Sequence, residues 1–251
     1  MLVCSHIMCK VANISEAVQN CKKLGFSVEW GSAPERAHNA FIWFEEGPFI
    51  EFFQIPESWW LLGSPFGLIF GREAGKRWYR WFGSAEGLCD LALVPANAAE
   101  EAAKEVIRDS RSFKALKLSL NKAGLSTSRI INGWRVRPDG VKVRYSFFSP
   151  EPSGLPFVVS GYDSCQRPEK VEHPNGARGI TWIKMGVAHN DVQQFRLLTQ
   201  GDKWLIAQPA TETKLLELGL AGLKQSLDPN LLHGTVMTDA AGKPENQYEE
   251  K

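Results

Sequence analysis

No run of 18 apolar residues occurs in the 251-residue chain, so a membrane-spanning helix is not expected. The N-terminus lacks a basic stretch followed by an apolar one, which argues against a secretory leader. Charge of one sign is not in excess: 29 Lys and Arg stand against 28 Asp and Glu, so nothing drives the chain toward nucleic acid or an acidic membrane surface. Cysteine is sparse and odd in number, five residues with no CxxC pair, which excludes a disulfide framework and a zinc ribbon. Reduced, mostly buried thiols in a cytoplasmic protein are the expectation. There is no phosphate-binding glycine loop, no GxSxG and no HExxH.

What the sequence does have is a weak internal repeat. HIMCKVANISEA, residues 6–17, opens with strict alternation. Ile7, Cys9 and Val11 take one side, and His6, Met8 and Lys10 the other, as on a half-buried strand. Asn13 then caps a helix, with Glu16 three residues on. Ile14, Val18, Cys21 and Leu24 form its apolar stripe, and Gly25 ends it. The pattern returns at DLALVPANAAEE, residues 90–101, where Asp90 aligns with His6 and Asn97 and Glu100 form the cap. A third echo, residues 182–195, places Trp182 on His6 and makes Asn190 and Gln193 the capping pair.

Short β-rich runs follow each helix. FSVEW (26–30), HNAFIWF (38–44) and PFIEFFQI (48–55) follow the first. WRVR (134–137), VKVRYSFF (141–148) and PFVVSGY (156–162) follow the second, the first two joined by the turn Pro138-Asp139-Gly140. The expected fold is α+β: repeated βαβββ modules whose mixed, largely antiparallel sheets curl around a cup-shaped cavity. The expected divisions are a first module (1–55), an aromatic-rich connector (56–86), a second module (87–165), a shortened third module (176–225) and a C-terminal tail (226–251).

These residues resemble a known family. His6 on the first strand, KKLGF (22–26), HNAFI (38–42), PFIEF (48–52), LPFVV (155–159) and HPNGA (173–177) stand in the order of the glyoxalase-like branch of the vicinal oxygen chelate superfamily. The superfamily includes glyoxalase, extradiol dioxygenases and bleomycin-resistance proteins. The resemblance covers roughly residues 1–200 and rests on the order of short motifs. It implies a divalent metal (Zn, Mn, Fe or Ni) in the cup, chelating vicinal oxygens of a small carbonyl compound for lyase, isomerase or dioxygenase chemistry. It makes His6, Glu51 and Asp90 the metal ligands. The fourth position falls on Val159 or Ser160, neither of them a usual donor.

A histidine with two carboxylates suits a hard divalent ion, and Glu51 is also the candidate acid–base catalyst. His38, Trp43 and Phe53 are candidate ligand contacts. The rival expectation is a metal-free cup that sequesters a small molecule, as bleomycin-resistance proteins do. Trp59, Trp60, Phe66, Phe70, Trp78, Tyr79, Trp81 and Phe82 crowd the connector, which offers core packing, a homodimer surface or a cover for the cup.

Overall fold

The computed structural model describes residues 1–101 and 110–245, without the side chains of residues 99–101. The expected α+β architecture is present. Two strand–helix–three-strand halves share one curled eight-stranded sheet, and a smaller four-stranded sheet packs behind it.

In the first half, β1 (Leu2–Lys10) leads through α1 (Ile14–Lys23) to β2 (Glu29–Trp30), β3 (Asn39–Ile42) and β4 (Phe49–Phe53). β4 returns to lie parallel to β1. The start of α1 is set locally: Asn13 Oδ1 accepts from the amides of Ser15 at 3.0 Å and Glu16 at 3.1 Å. Its end is set by Gly25, whose φ of +81° only glycine adopts freely.

The second half begins with β5 (Gly87–Pro95) and α4 (Ala96–Glu101), resumes at α5 (Ser110–Lys122), and continues through β6 (Ile131–Val136), β7 (Lys142–Phe148) and β8 (Phe157–Val159). β5 runs antiparallel to β1 from Leu2↔Pro95 to Lys10↔Gly87, which joins the halves into the order β2-β3-β4-β1-β5-β8-β7-β6. The β1–β5 register slips between Cys4 and His6, and again between Met8 and Cys9. Asn97 lies inside α4 rather than ahead of it, and the side chain of its expected partner Glu100 is outside the described residues, as is the end of the tail from 246 onward.

The connector folds into a 3-10 turn (Glu57–Leu62), α2 (Gly63–Phe70) and α3 (Arg72–Gly83). α2 and α3 cross where Gly67 meets Gly75, so tightly that a Cβ on Gly75 would sit 3.0 Å from the Gly67 Cα. α3 covers one end of the cup, while Leu61, Leu68 and Ile69 remain exposed.

The third echo forms its own sheet. β9 (Gly179–Ala188), α6 (Val192–Thr199), β10 (Leu205–Ala210), β11 (Lys214–Ala221) and β12 (Met237–Asp239) adopt the order β10-β9-β11-β12. Asp191, not Asn190, precedes α6, and its side chain makes no capping bond.

Alternation along β1 divides the interior. Ile7, Cys9 and Val11 join the main core with α1 and the second sheet. Met8 turns the other way and packs in the cup with Phe53, Ala92, Phe157 and Val159. Among the described residues, no helix is long and apolar enough to cross a membrane.

Candidate functional site

Two of the three expected metal ligands meet. His6 Nε2 lies 3.5 Å from Glu51 Oε2, brought together by the parallel β1–β4 pairing in which His6 stands opposite Phe49 and Met8 opposite Glu51. Asn39 on β3 donates from Nδ2 to Glu51 Oε1 at 2.9 Å. The His6 ring stacks on Phe49, centroids 4.8 Å apart, and its edge meets Phe157. On its other side, His6 Nδ1 is 3.1 Å from Ser5 Oγ. Burial pulls the His6 pKa down to about 3, against the upward pull of Asp90, so the imidazole is neutral at ordinary pH. With a carboxylate facing Nε2 and a hydroxyl beside Nδ1, the tautomer carrying its hydrogen on Nε2 suits both neighbours. Burial raises the Glu51 pKa, opposed by the Asn39 bond and by the charge of Arg135.

Asp90 is held elsewhere. The Arg77 guanidinium, 1% exposed, enters the cup from α3 and donates from Nη1 to Asp90 Oδ2 at 2.5 Å. Arg77 Nη2 donates to the Leu155 carbonyl at 2.6 Å. Trp81 Nε1 adds a bond to Asp90 Oδ2 at 2.6 Å, the Leu91 amide reaches Oδ1 at 2.9 Å, and Arg80 Nη1 lies 3.3 Å from Oδ1. Burial alone would raise the Asp90 pKa, but the two arginines more than offset it and the group sits below its ordinary value.

The expected metal set therefore does not fit. A dication at Asp90 would meet a guanidinium already bonded to that carboxylate. The fourth position is Val159, packed among apolar side chains, and Ser160 Oγ is engaged by the Ser146 amide and the Gly161 carbonyl. Among the described residues, no group of three or more His, Cys, Asp or Glu side chains is placed to hold a metal ion.

A cavity of about 540 Å³ opens beside the pair. It lies between the start of β1, the 44–47 turn, the segment after β8, and the Gly201–Trp204 corner ahead of β10. Trp43, Phe49, Val94 and Trp204 give it apolar walls, and Ser5 and Tyr162 supply hydroxyls. Its charged lining is balanced, with Glu45 and Glu46 against Arg167 and Lys203. Arg167 clasps the rim, donating to the Phe44 carbonyl and, at 2.7 Å, to the Gly47 carbonyl.

Of the three expected ligand contacts, Trp43 lines this cavity. His38 does not: it lies one residue off the inward-facing register of Asn39, Phe41 and Trp43, is exposed, and meets Trp59 edge-on. Phe53 faces inward but is sealed by Met8 and Trp81. Arg135 on β6 stacks on Phe41 with its guanidinium 4.8 Å from the ring and bonds Gln166 Oε1 at 2.6 Å. Sequence reasoning missed Arg77 and Ser5. Arg77 is one of four basic residues on α3, and nothing in the sequence singles it out; Ser5 carried no signal either, because a register slip belongs to a strand pair.

Comparison with known proteins completes the description. A family model described as Glyoxalase-like domain matches residues 4–200. No curated protein matches the chain. Among solved structures, a hypothetical protein from Staphylococcus aureus is similar in fold, with a TM-score of 0.60 at 10% identity, covering 90% of this chain and 93% of that one. A Mn(II)-bound glyoxalase from Novosphingobium aromaticivorans aligns with a TM-score of 0.48 at 13% identity, over 91% of this chain and 68% of that one. At 10% identity the likeness to the first concerns the fold alone.

Proposed function

The chain belongs to the glyoxalase-like domain family, and from that premise we propose that it is a metal-independent member whose cup takes up a small, largely apolar molecule. One observation carries this reading: the Asp90 carboxylate that would serve a metal is matched by Arg77. The 540 Å³ cavity supports it, being of ligand size with Trp43, Phe49 and Trp204 among its walls. The balance of two acids and two bases around it favours a molecule of no net charge. The alternative, glyoxalase-type chemistry on a chelated metal, would need Asp90 freed and a further donor supplied.

Elemental analysis of protein purified without chelators tests the metal half. The expected result is less than a tenth of an equivalent of Mn, Fe, Zn or Ni, and no change in melting temperature on adding any of them. One equivalent that disappears in His6→Ala would refute it. A thermal-shift screen of small neutral aromatic and aliphatic compounds tests the binding half. A compound at 100 times its dissociation constant stabilises by about 2.7 kcal/mol. For a chain of this size that is a rise of roughly 5–10 °C, and Trp43→Ala should abolish it.

A further inference from the structure

We propose that Ser5, His6 and Glu51 form a relay that makes Ser5 a nucleophile toward neutral carboxylic esters seated in the cavity.

On a regular strand, neighbouring side chains point to opposite faces, and Ser5 and His6 could not meet. The register slip between Cys4 and His6 breaks that alternation at this residue. Such bulges re-aim side chains beside active sites. Here the result is a Ser5 Oγ 3.1 Å from His6 Nδ1 and on the cavity wall. The second link is His6 Nε2 to Glu51 Oε2 at 3.5 Å, and the third is Asn39 fixing Glu51 Oε1 at 2.9 Å. Ser5 is within hydrogen-bond reach of the imidazole, and the Glu51 carboxylate faces the opposite ring nitrogen at ion-pair distance; a nucleophile, a base and a carboxylate in that order is how serine catalysis is recognised, whatever the fold. The two imidazole nitrogens exchange roles relative to the usual serine hydrolases, with Nδ1 facing the hydroxyl.

The site chooses its substrate by what surrounds Ser5. Trp43, Phe49 and Val94 would hold a small apolar acyl or alkyl group, and the balanced rim charges suit a neutral molecule. In the proposed step, Ser5 Oγ bonds to the acyl carbon while its proton passes to His6 Nδ1. The C–O bond to the leaving group breaks, and the alcohol departs with the proton from Nδ1. Water then adds to the acyl-serine, giving a proton to Nδ1. The acid leaves, and Ser5 Oγ takes the proton back. Ester and water become acid and alcohol, and Glu51 stays ionised opposite the transient imidazolium. Because His6 is buried, forming that imidazolium is costly, and turnover should be slow beside dedicated hydrolases.

The test uses a fluorophosphonate, which phosphonylates activated serines, and p-nitrophenyl butyrate as the ester. The expected result is one phosphonyl adduct per chain, mapped by mass spectrometry to the Met1–Lys10 peptide at Ser5, with release of p-nitrophenolate. Ser5→Ala, which removes one oxygen, should keep its melting temperature and lose both signals. Glu51→Gln should slow labelling at least tenfold while the adduct stays on Ser5. No adduct at Ser5, or equal esterolysis by Ser5→Ala, overturns the proposal. This inference shares only the cavity with the binding role above. Failed labelling with intact ligand-induced melting shifts would sink this proposal alone, whereas labelling at Ser5 with no melting shift from any compound in the screen would support it and sink the other.

Discussion

Arg77→Met probes the centre of the cup most directly. The wild-type side chain is 1% exposed and lies 2.5 Å from the equally enclosed Asp90 carboxylate. Unit charges about 4 Å apart attract by about 4 kcal/mol at an effective dielectric of 20. Removing one member of such a pair typically costs about 3–5 kcal/mol, since the survivor is left buried and unmatched. Arg80, 3.3 Å from the other carboxylate oxygen, and the Trp81 and Leu91 N–H groups remain, which pulls the expectation to the lower end. We expect a loss of about 3 kcal/mol, with the Leu155 carbonyl also deprived of its donor. Urea unfolding followed by tryptophan fluorescence reads this as a lower midpoint at unchanged slope. Arg77→Met combined with Asp90→Leu should recover at least 2 kcal/mol of that loss, because no fully buried charge is then left unmatched and Arg80, partly exposed, keeps its bonds to the Ser153 and Cys89 carbonyls. A single-variant loss below 1 kcal/mol, or a double variant as unstable as the two single losses added, would refute the reasoning.

Two further outcomes follow from local geometry. The folded His6 titrates near 3 and the unfolded residue near 6.5, so its contribution is complete above pH 6.5 and is lost as the pH falls toward 3. The loss approaches about 1.4 kcal/mol per pH unit within that window, and subtracting the urea stability curve of His6→Asn from that of the wild type between pH 7 and 4 isolates it. Asn13→Ala deletes the acceptor of the Ser15 and Glu16 amides and should cost about 1 kcal/mol, read as a melting temperature lower by roughly 2–4 °C.

What the sequence made legible was local. The β1 alternation, the Asn13 cap and the Gly25 stop all depend on neighbours within a turn or a pleat, and each appears where expected. The meeting of His6 with Glu51 could be anticipated because both fall on inward positions of strands the repeat pairs. The third echo was harder. Its strand–helix signature is present, but periodicity does not say which edge a strand joins, and β9 pairs with β10 and β11 in a separate sheet. Asp90 read as a ligand because its partners, Arg77 and Arg80, come from the connector, outside the repeat pattern. Arg77 belongs to neither repeat, so no internal comparison could point to it.

The seam between the halves has a kinetic consequence. β1 and β5 are hydrogen-bonded from Leu2 to Lys10, so the two sides cannot part like a clamshell. At the rim of the cavity the Arg167 guanidinium fastens the Phe44 and Gly47 carbonyls. If the proposed guest exchanges past that clasp, loosening it would quicken arrival and departure together while leaving equilibrium occupancy nearly constant.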